Sequence, residues 1–460
     1  MSADMTEIPR PATKTRQLGA FAASLTYAAL PPDVVHYCKR ALVDWSAAAI
    51  AGSAQPGARK VRQVIAALDQ SGPATIVGTP MTANAAFAAL GNAYASHLLD
   101  FDDVFNPIET TIHLSSCLWP AVLAIGQLRG LSGQEAIAAY VAGFETGARV
   151  ARAAGTTHYQ SAWQVTGTMG HVAAAAAAAN ALKLSPEAAT HALGCSVTQA
   201  AGVREVYGSD SKALPPGKAA MDGVLSALLA ETGFTATDTA IEGQRGLLRA
   251  VSQKPADELL TEGLHTLWHL LSNGNKLYPT ASLTHPAIEA ASSAADDFAA
   301  RREVTEIVLQ MHPFSAAVTA VVHPLTASQA RFSTAHCVAV ALSRRGLGLS
   351  DFDDRTLRDP AIAHLRDLVQ IVPDPSIDKR GCRLTLTWSN GQLSSYEVLR
   401  NRGTPAAPLS DRDLSDKLTN AAGGIMDATR AAALVEQCWS LERLTDINPF
   451  MHSLRGTQAP

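Results

Sequence analysis

At 460 residues the chain is too long for one simple core, so two domains are expected. Its 47% apolar and 17% charged residues exclude a disordered protein, and its formal charge of −4 gives no bulk positive surface for nucleic acid. Six cysteines without a CxxC pair argue against zinc, iron–sulfur and disulfide frameworks and leave free cytosolic thiols as the reading.

Aromatics are only 5%, and alanine, the best helix former, takes their place. The basic residues Arg10, Lys14 and Arg16 precede an Ala-rich stretch without the strong apolar run of a secretory signal. Pro31-Pro32 opens a helix carrying Val34, Val35, Cys38, Ala41, Leu42 and Trp45 at helical spacing, with Gly52 placed as its cap. Ser132 and Glu135 form a capping-box pattern. Residues 153–182 hold no Asp, Glu, Lys or Arg. They do hold His158, Gln160, Gln164, His171 and Asn180, so a buried soluble helix fits better than a membrane span, and a cytoplasmic protein is expected. Ser185-Pro186-Glu187 starts another helix.

Near residue 273 the pattern changes. Val304–Met311 and Val369–Val372 read as strands, and Leu384, Leu386 and Trp388 alternate with polar residues. Asn390-Gly391 supplies a hairpin turn, with 392–399 as the return strand. Helical patterns over 283–299 and 333–346 interleave with these strands. Leu409-Ser410-Asp411 reopens helical sequence. The chain is therefore read as mainly α: a discontinuous helical domain of residues 1–272 and 400–460, with a smaller α+β domain at 273–399.

Four polar clusters are candidates for chemistry. His97-Leu-Leu-Asp100-Phe-Asp102-Asp103, followed by His113, crowds three carboxylates that need cations or helix ends to face; a plain charged helix end fits equally. His158 to Gln164, before Thr166 and His171, suggests a pocket floor at a helix N-terminus, where anions are favoured. An ordinary capping loop is the alternative, and His171 itself reads as a satisfied core histidine. Lys212 and Lys218 frame a Pro/Gly turn ahead of a helix at Ala219 and suit carboxylates, or are simply solvated. Lys276-Leu-Tyr278-Pro, then His285, lies at the domain junction, where pockets prefer to form and where linkers also lie.

Taken together these clusters resemble the 2-methylcitrate dehydratase (MmgE/PrpD) family, which includes cis-aconitate decarboxylase and iminodisuccinate epimerase. The resemblance runs in order from Leu30-Pro31 through Leu99 to Asp103, His113, Gly208 to Gly223, Lys276-Leu-Tyr-Pro and Ala330-Arg-Phe-Ser333 to Pro408-Leu-Ser-Asp411. It implies a helical domain built from both chain ends, an α+β lid, a site between them, a homodimer, and no metal or organic cofactor.

Carried over residue by residue, it implies catalytic roles for Asp100, His113, Lys212 and Lys276. Three positions depart from the family pattern: Val104 for a Thr, Gln164 for a catalytic His, and His336 for a Tyr. Leu114 also replaces the proline after His113, and the Asp103–His113 spacing is long. Gln does not exchange a proton near neutral pH, so His336 is the candidate to supply the missing titratable group. Gln164, Asp103, Tyr278 and Lys218 stand as substrate-binding candidates, with Asp102 left open between orienting a neighbouring group and capping a helix.

The expected function is a cofactor-independent, dehydratase-like lyase. It acts at the carbon next to a carboxylate of a small di- or tricarboxylic acid, with lysines stabilising developing negative charge and His113 as the base. Epimerase or isomerase, decarboxylase, and a non-catalytic carboxylate-binding homologue are the alternatives.

Overall fold

The computed structural model describes residues 12–68, 71–301 and 303–456. Arg10 lies outside the described residues. The chain is mainly α, with a smaller α+β part.

Pro32–Ser53 is a helix with proline in its first turn, where the missing N–H costs nothing. It runs past Gly52 to Ala54, so Gly52 is not its cap. The glycine is there because a Cβ would collide with the Ala95 carbonyl of the crossing Ala85–Leu98 helix. Ser132 and Glu135 do form a capping box, opening the long Gly133–Gln160 helix.

The Val165–Ala181 helix explains the charge-free stretch. It is buried on every face, apart from Asn180 near its end. Ala173 and Ala177 lie so close to Gly143 and Gly147 of the neighbouring helix that no larger residue fits at those glycines. No helix among the described residues is long and apolar enough to cross a membrane.

The C-terminal helices Asp411–Ala422, Ala428–Trp439 and Asn448–Ser453 pack into the same core as the first 270 residues. Arg40 bonds the Leu409 carbonyl at 2.6 Å and also contacts Asp411.

A second core holds a four-stranded mixed sheet. Its order is Val369–Pro373, Val304–Met311, Cys382–Trp388, Leu393–Val398; the first two are parallel and the rest antiparallel. Ile307 faces Leu386, and Leu309 faces Leu384, all fully buried. Gly391, at φ 78°, makes the hairpin turn. The helices His285–Arg301 and Thr334–Arg344 supply most of the buried alanines and valines of this core. The two cores meet around residues 273–284, where Asn273–Gly274 pairs with Val104–Phe105.

Candidate active site

The site begins where the Ala85–Leu98 helix stops. Asp100 adopts φ 54°, a left-handed conformation that Asp tolerates better than most residues. That turn aims its carboxylate at two buried ammonium groups. Lys212 Nζ lies 2.8 Å from Asp100 Oδ1, and Lys276 Nζ lies 2.9 Å from the same oxygen. Lys276 also donates to the Asp100 carbonyl at 3.1 Å. Burial opposes the Asp100 charge, but the two lysines outweigh it and hold the carboxyl well below its usual range. Burial also lowers the Lys212 ammonium pKa, against the pull of Asp100. With both lysines protonated, the trio carries a net single positive charge.

A second cluster adjoins it. Asp102 Oδ2 accepts from His97 Nδ1 at 2.9 Å and lies 3.2 Å from His113 Nδ1, the latter short of a well-aligned hydrogen bond. The two rings meet edge to face with centroids 4.8 Å apart. Burial pulls His97 down to about 4, despite the opposing Asp102, so it is neutral at pH 7. Asp102 is held well below the usual carboxylate range: burial opposes its charge, and the two histidines prevail. Both imidazoles border the cleft, but His113 is the more open, its side chain 18% exposed against 2% for His97. The His113 Nδ1 faces Asp102, which leaves Nε2 for a ligand.

Both clusters line a cleft of about 800 Å³ between the two cores, within the roughly 300–1,000 Å³ of small-molecule sites. The long segment between Asp103 and His113 is accounted for here, because residues 106–111 form one wall. The N-terminus of the Val165–Ala181 helix contributes Gln164, Val165 and Thr166. Gln164 Nε2 donates to the Lys212 carbonyl at 3.1 Å and so fixes the lysine's loop. Its Oε1 is buried with no partner among the described residues.

The ligand-type atoms of His97, Asp100, Asp102 and His113 lie within 4.8 Å of one another. Two ammonium groups on Asp100 and the commitment of Asp102 to two imidazoles make this a poor cradle for a divalent cation.

Four candidates go elsewhere. His336 sits in the first turn of the Thr334–Arg344 helix, turned into the lid core, with Nε2 3.1 Å from the Asp351 carbonyl and its ring against Phe352. Phe332 is the residue of that segment that reaches the cleft. Asp103 is a structural pillar, accepting from Ser115 Oγ at 2.5 Å and Asn273 Nδ2 at 2.7 Å. Burial, with Asp44 and Asp102 nearby, raises it well above the usual range. Tyr278 packs edge-on against His285 at the lid core. Lys218 lies on a helix that begins at Leu214, not Ala219, and pairs with Asp222 one turn on, half exposed and away from the cleft. His171, on the other side of Asp222, is a core histidine whose Nε2 lies 3.1 Å from that carboxylate, while its Nδ1 is buried without a partner among the described residues.

Sequence reasoning gave no role to His97 or Lys417, and left Asp102 between orienting a neighbouring group and capping a helix. His97 and Asp102 were inside the singled-out segment, and their spacing was the available signal. Lys417 had none. It comes from the C-terminal helix, fully buried, and its Nζ donates to Asp44 Oδ1 at 2.8 Å, the Phe101 carbonyl at 2.6 Å and the Lys276 carbonyl at 2.8 Å. One ammonium thus ties the Asp100 loop to the Lys276 loop.

The MmgE/PrpD N-terminal domain model matches residues 16–260, and the MmgE/PrpD C-terminal domain model matches residues 278–441. Among curated relatives, a cis-aconitate decarboxylase of Aspergillus terreus is 26% identical, covering 96% of this chain and 95% of that protein. The Homo sapiens cis-aconitate decarboxylase is 24% identical over 94% and 92%, and that of Mus musculus 23% over 93% and 90%. With both family domains matched over most of its length, the chain belongs to the MmgE/PrpD family.

Proposed function

We propose that the protein is a cofactor-independent lyase that removes CO₂ from a small unsaturated tricarboxylic acid, cis-aconitate being the first candidate. The observation that carries this is the Asp102–His113 pair facing the same cleft as the Lys212–Asp100–Lys276 cluster. Loss of CO₂ leaves an electron pair on carbon, delocalised toward a neighbouring carboxylate. The net positive charge of the lysine cluster stabilises that negative charge, and the fixed geometry of the site avoids reorganisation. His113 then delivers one proton through Nε2, with Asp102 orienting the ring.

The sequence alone placed dehydration first. Dehydration and epimerisation each need two proton-handling groups, and the cleft offers little for the second. Gln164 holds the Lys212 loop and does not titrate, His97 is bonded to Asp102 with its side chain only 2% exposed, and His336 lies outside the cleft. Decarboxylation needs only one donor. The names of the relatives favour the same choice.

The test is incubation of the protein with cis-aconitate in D₂O, followed by NMR and CO₂ detection. The expected result is CO₂ and a deuterium-labelled dicarboxylic acid one carbon shorter, lost in His113→Gln. Deuterium exchange, or addition of water to the double bond, without CO₂ release refutes decarboxylation and favours the other family reactions. Ligand binding with neither refutes catalysis.

A further inference from the structure

The loop between the Val369–Pro373 and Cys382–Trp388 strands brings lid residues 375–380 to the cleft wall. Its last member, Arg380, stands where the cleft adjoins a smaller pocket of about 280 Å³. The two cavities share Asn106, Lys276, Ser282 and Arg380. His285 and Arg400 also line the small pocket, and no Asp or Glu does.

The cations of this pocket are not equivalent. Lys276 is committed to Asp100. Arg400 is exposed and reaches Asp378 at 4.0 Å. Arg380 pairs with no carboxylate among the described residues. Asp378, two residues away, instead accepts from the backbone N–H of Arg380 at 2.8 Å. The guanidinium's neighbour from the helical side is Asn106. With its amide turned to donate to the Thr110 carbonyl at 3.1 Å, Asn106 accepts from Arg380 Nη2. Burial pulls Arg380 down to about 10, which still leaves it charged at pH 7. His285 beside it is held well below its usual value, by burial first and then by Lys276 and Arg380, and its Nε2 is buried without a partner. A half-buried guanidinium whose partner is neutral keeps donors free for a ligand, and its planar fork fits a carboxylate.

We infer that Arg380, with Asn106 and His285 beside it, forms a second anion subsite that binds one carboxylate of the substrate, on the lid side of the Asp100-paired lysines. This rests on the reading of the cleft as a polycarboxylate site. A ligand held at both ends would join the helical domain to the lid.

The test is calorimetric titration of the full-length protein, Arg380→Gln and Arg380→Lys. The probes are cis-aconitate and three dicarboxylates that each lack one of its carboxylates: citraconate, glutaconate and itaconate. A charge-assisted bond is worth about 1.5–3 kcal/mol, so Arg380→Gln should weaken cis-aconitate roughly 10–100-fold. One of the three truncated ligands should bind wild type and Arg380→Gln alike, because it lacks the carboxylate in question. Arg380→Lys, keeping charge but not the fork, should fall between. Equal cis-aconitate affinity in wild type and Arg380→Gln overturns the inference, as does an equal loss for all three truncated ligands. Inorganic phosphate that binds wild type through Arg380 without competing with cis-aconitate also overturns it. Binding with the Arg380 dependence but without turnover sinks the decarboxylase reading and leaves the subsite standing. Turnover without the Arg380 dependence does the reverse, and no binding of any probe removes both.

Discussion

Lys417→Met removes one ammonium and strands three acceptors. Asp44 Oδ1 and the carbonyls of Phe101 and Lys276 all depend on that group, and Lys417 and Asp44 are both buried. Breaking a buried pair by deleting one partner costs about 3–5 kcal/mol, because the remaining charge is uncompensated. The Asp44 carboxyl is already raised by burial, with Lys417 as its main offset, so its distress is the larger part of that cost. Urea unfolding with an unchanged slope should therefore show a large drop in midpoint. The double variant Lys417→Met/Asp44→Asn should regain much of the loss, since no charge is left behind. Activity reads the positioning role separately. The double variant should have lower kcat than wild type, because the Asp100 and Lys276 loops are no longer tied, while Lys417→Arg should recover part of it. A single variant within about 1 kcal/mol of wild type would refute the reasoning. So would a double variant no more stable than the single.

Other outcomes follow from the same geometry. Asp102→Asn should lower kcat by about 10²-fold or more with little change in KM, because it disorients His113 without touching the lysines; unchanged turnover across pH 6–8 would remove Asp102 from the mechanism. His336→Gln should keep full activity in the CO₂ assay, since its ring lies in the lid core. Asp103→Asn should fold, its amide oxygen accepting from Ser115 and Asn273 as the carboxyl does. Because the folded Asp103 pKa is raised, wild-type stability from this group is present at low pH and lost as pH rises, so the Asn variant should gain relative to wild type toward neutral pH; a parallel pair of stability–pH curves would contradict that. Acid should destabilise the fold below about pH 6.5, because His97 and His158 at about 4 and His269 at about 3 are neutral when folded but take protons when unfolded. Their folded pKa values are depressed by burial, so each contributes a fall of up to about 1.4 kcal/mol per pH unit on the way down to its folded value. A urea midpoint flat from pH 7 to 5 would refute this.

Much of the fold was legible because local signals and burial agree. The Ser132–Glu135 box, the Ser185 cap and the Asn390-Gly391 turn each fix an element by bonds within a few residues. The strand alternation at Leu384, Leu386 and Trp388 matches residues whose side chains reach the lid core. Gly52 misled because its reason is tertiary: it is shaped by Ala95, more than 40 positions away, and not by its own helix end. The helix at Leu214 began early because two prolines suit a first turn as well as they suit a loop.

In the site, the chemistry of the residues was legible but their division of labour was not. Asp100, Asp102 and Asp103 stand within four positions, yet the fold gives them three different surroundings. Asp100 meets two ammonium groups, Asp102 meets two imidazoles, and Asp103 meets a hydroxyl and an amide. The left-handed turn at Asp100 breaks the helical register, so the three carboxylates are not aimed alike. Their charges follow from the partners: the first two are held ionised and the third is pushed toward the neutral acid. Three partners arrive from far along the chain, Lys212 from the turn before the Leu214 helix and Lys276 and Asn273 from the domain junction. His97, His113 and Ser115 are near in sequence, and of the two Asp102 partners it is His97 that stays buried and neutral. A row of acids therefore becomes a charge-holding group, a histidine-orienting group and a structural acid through what each one touches.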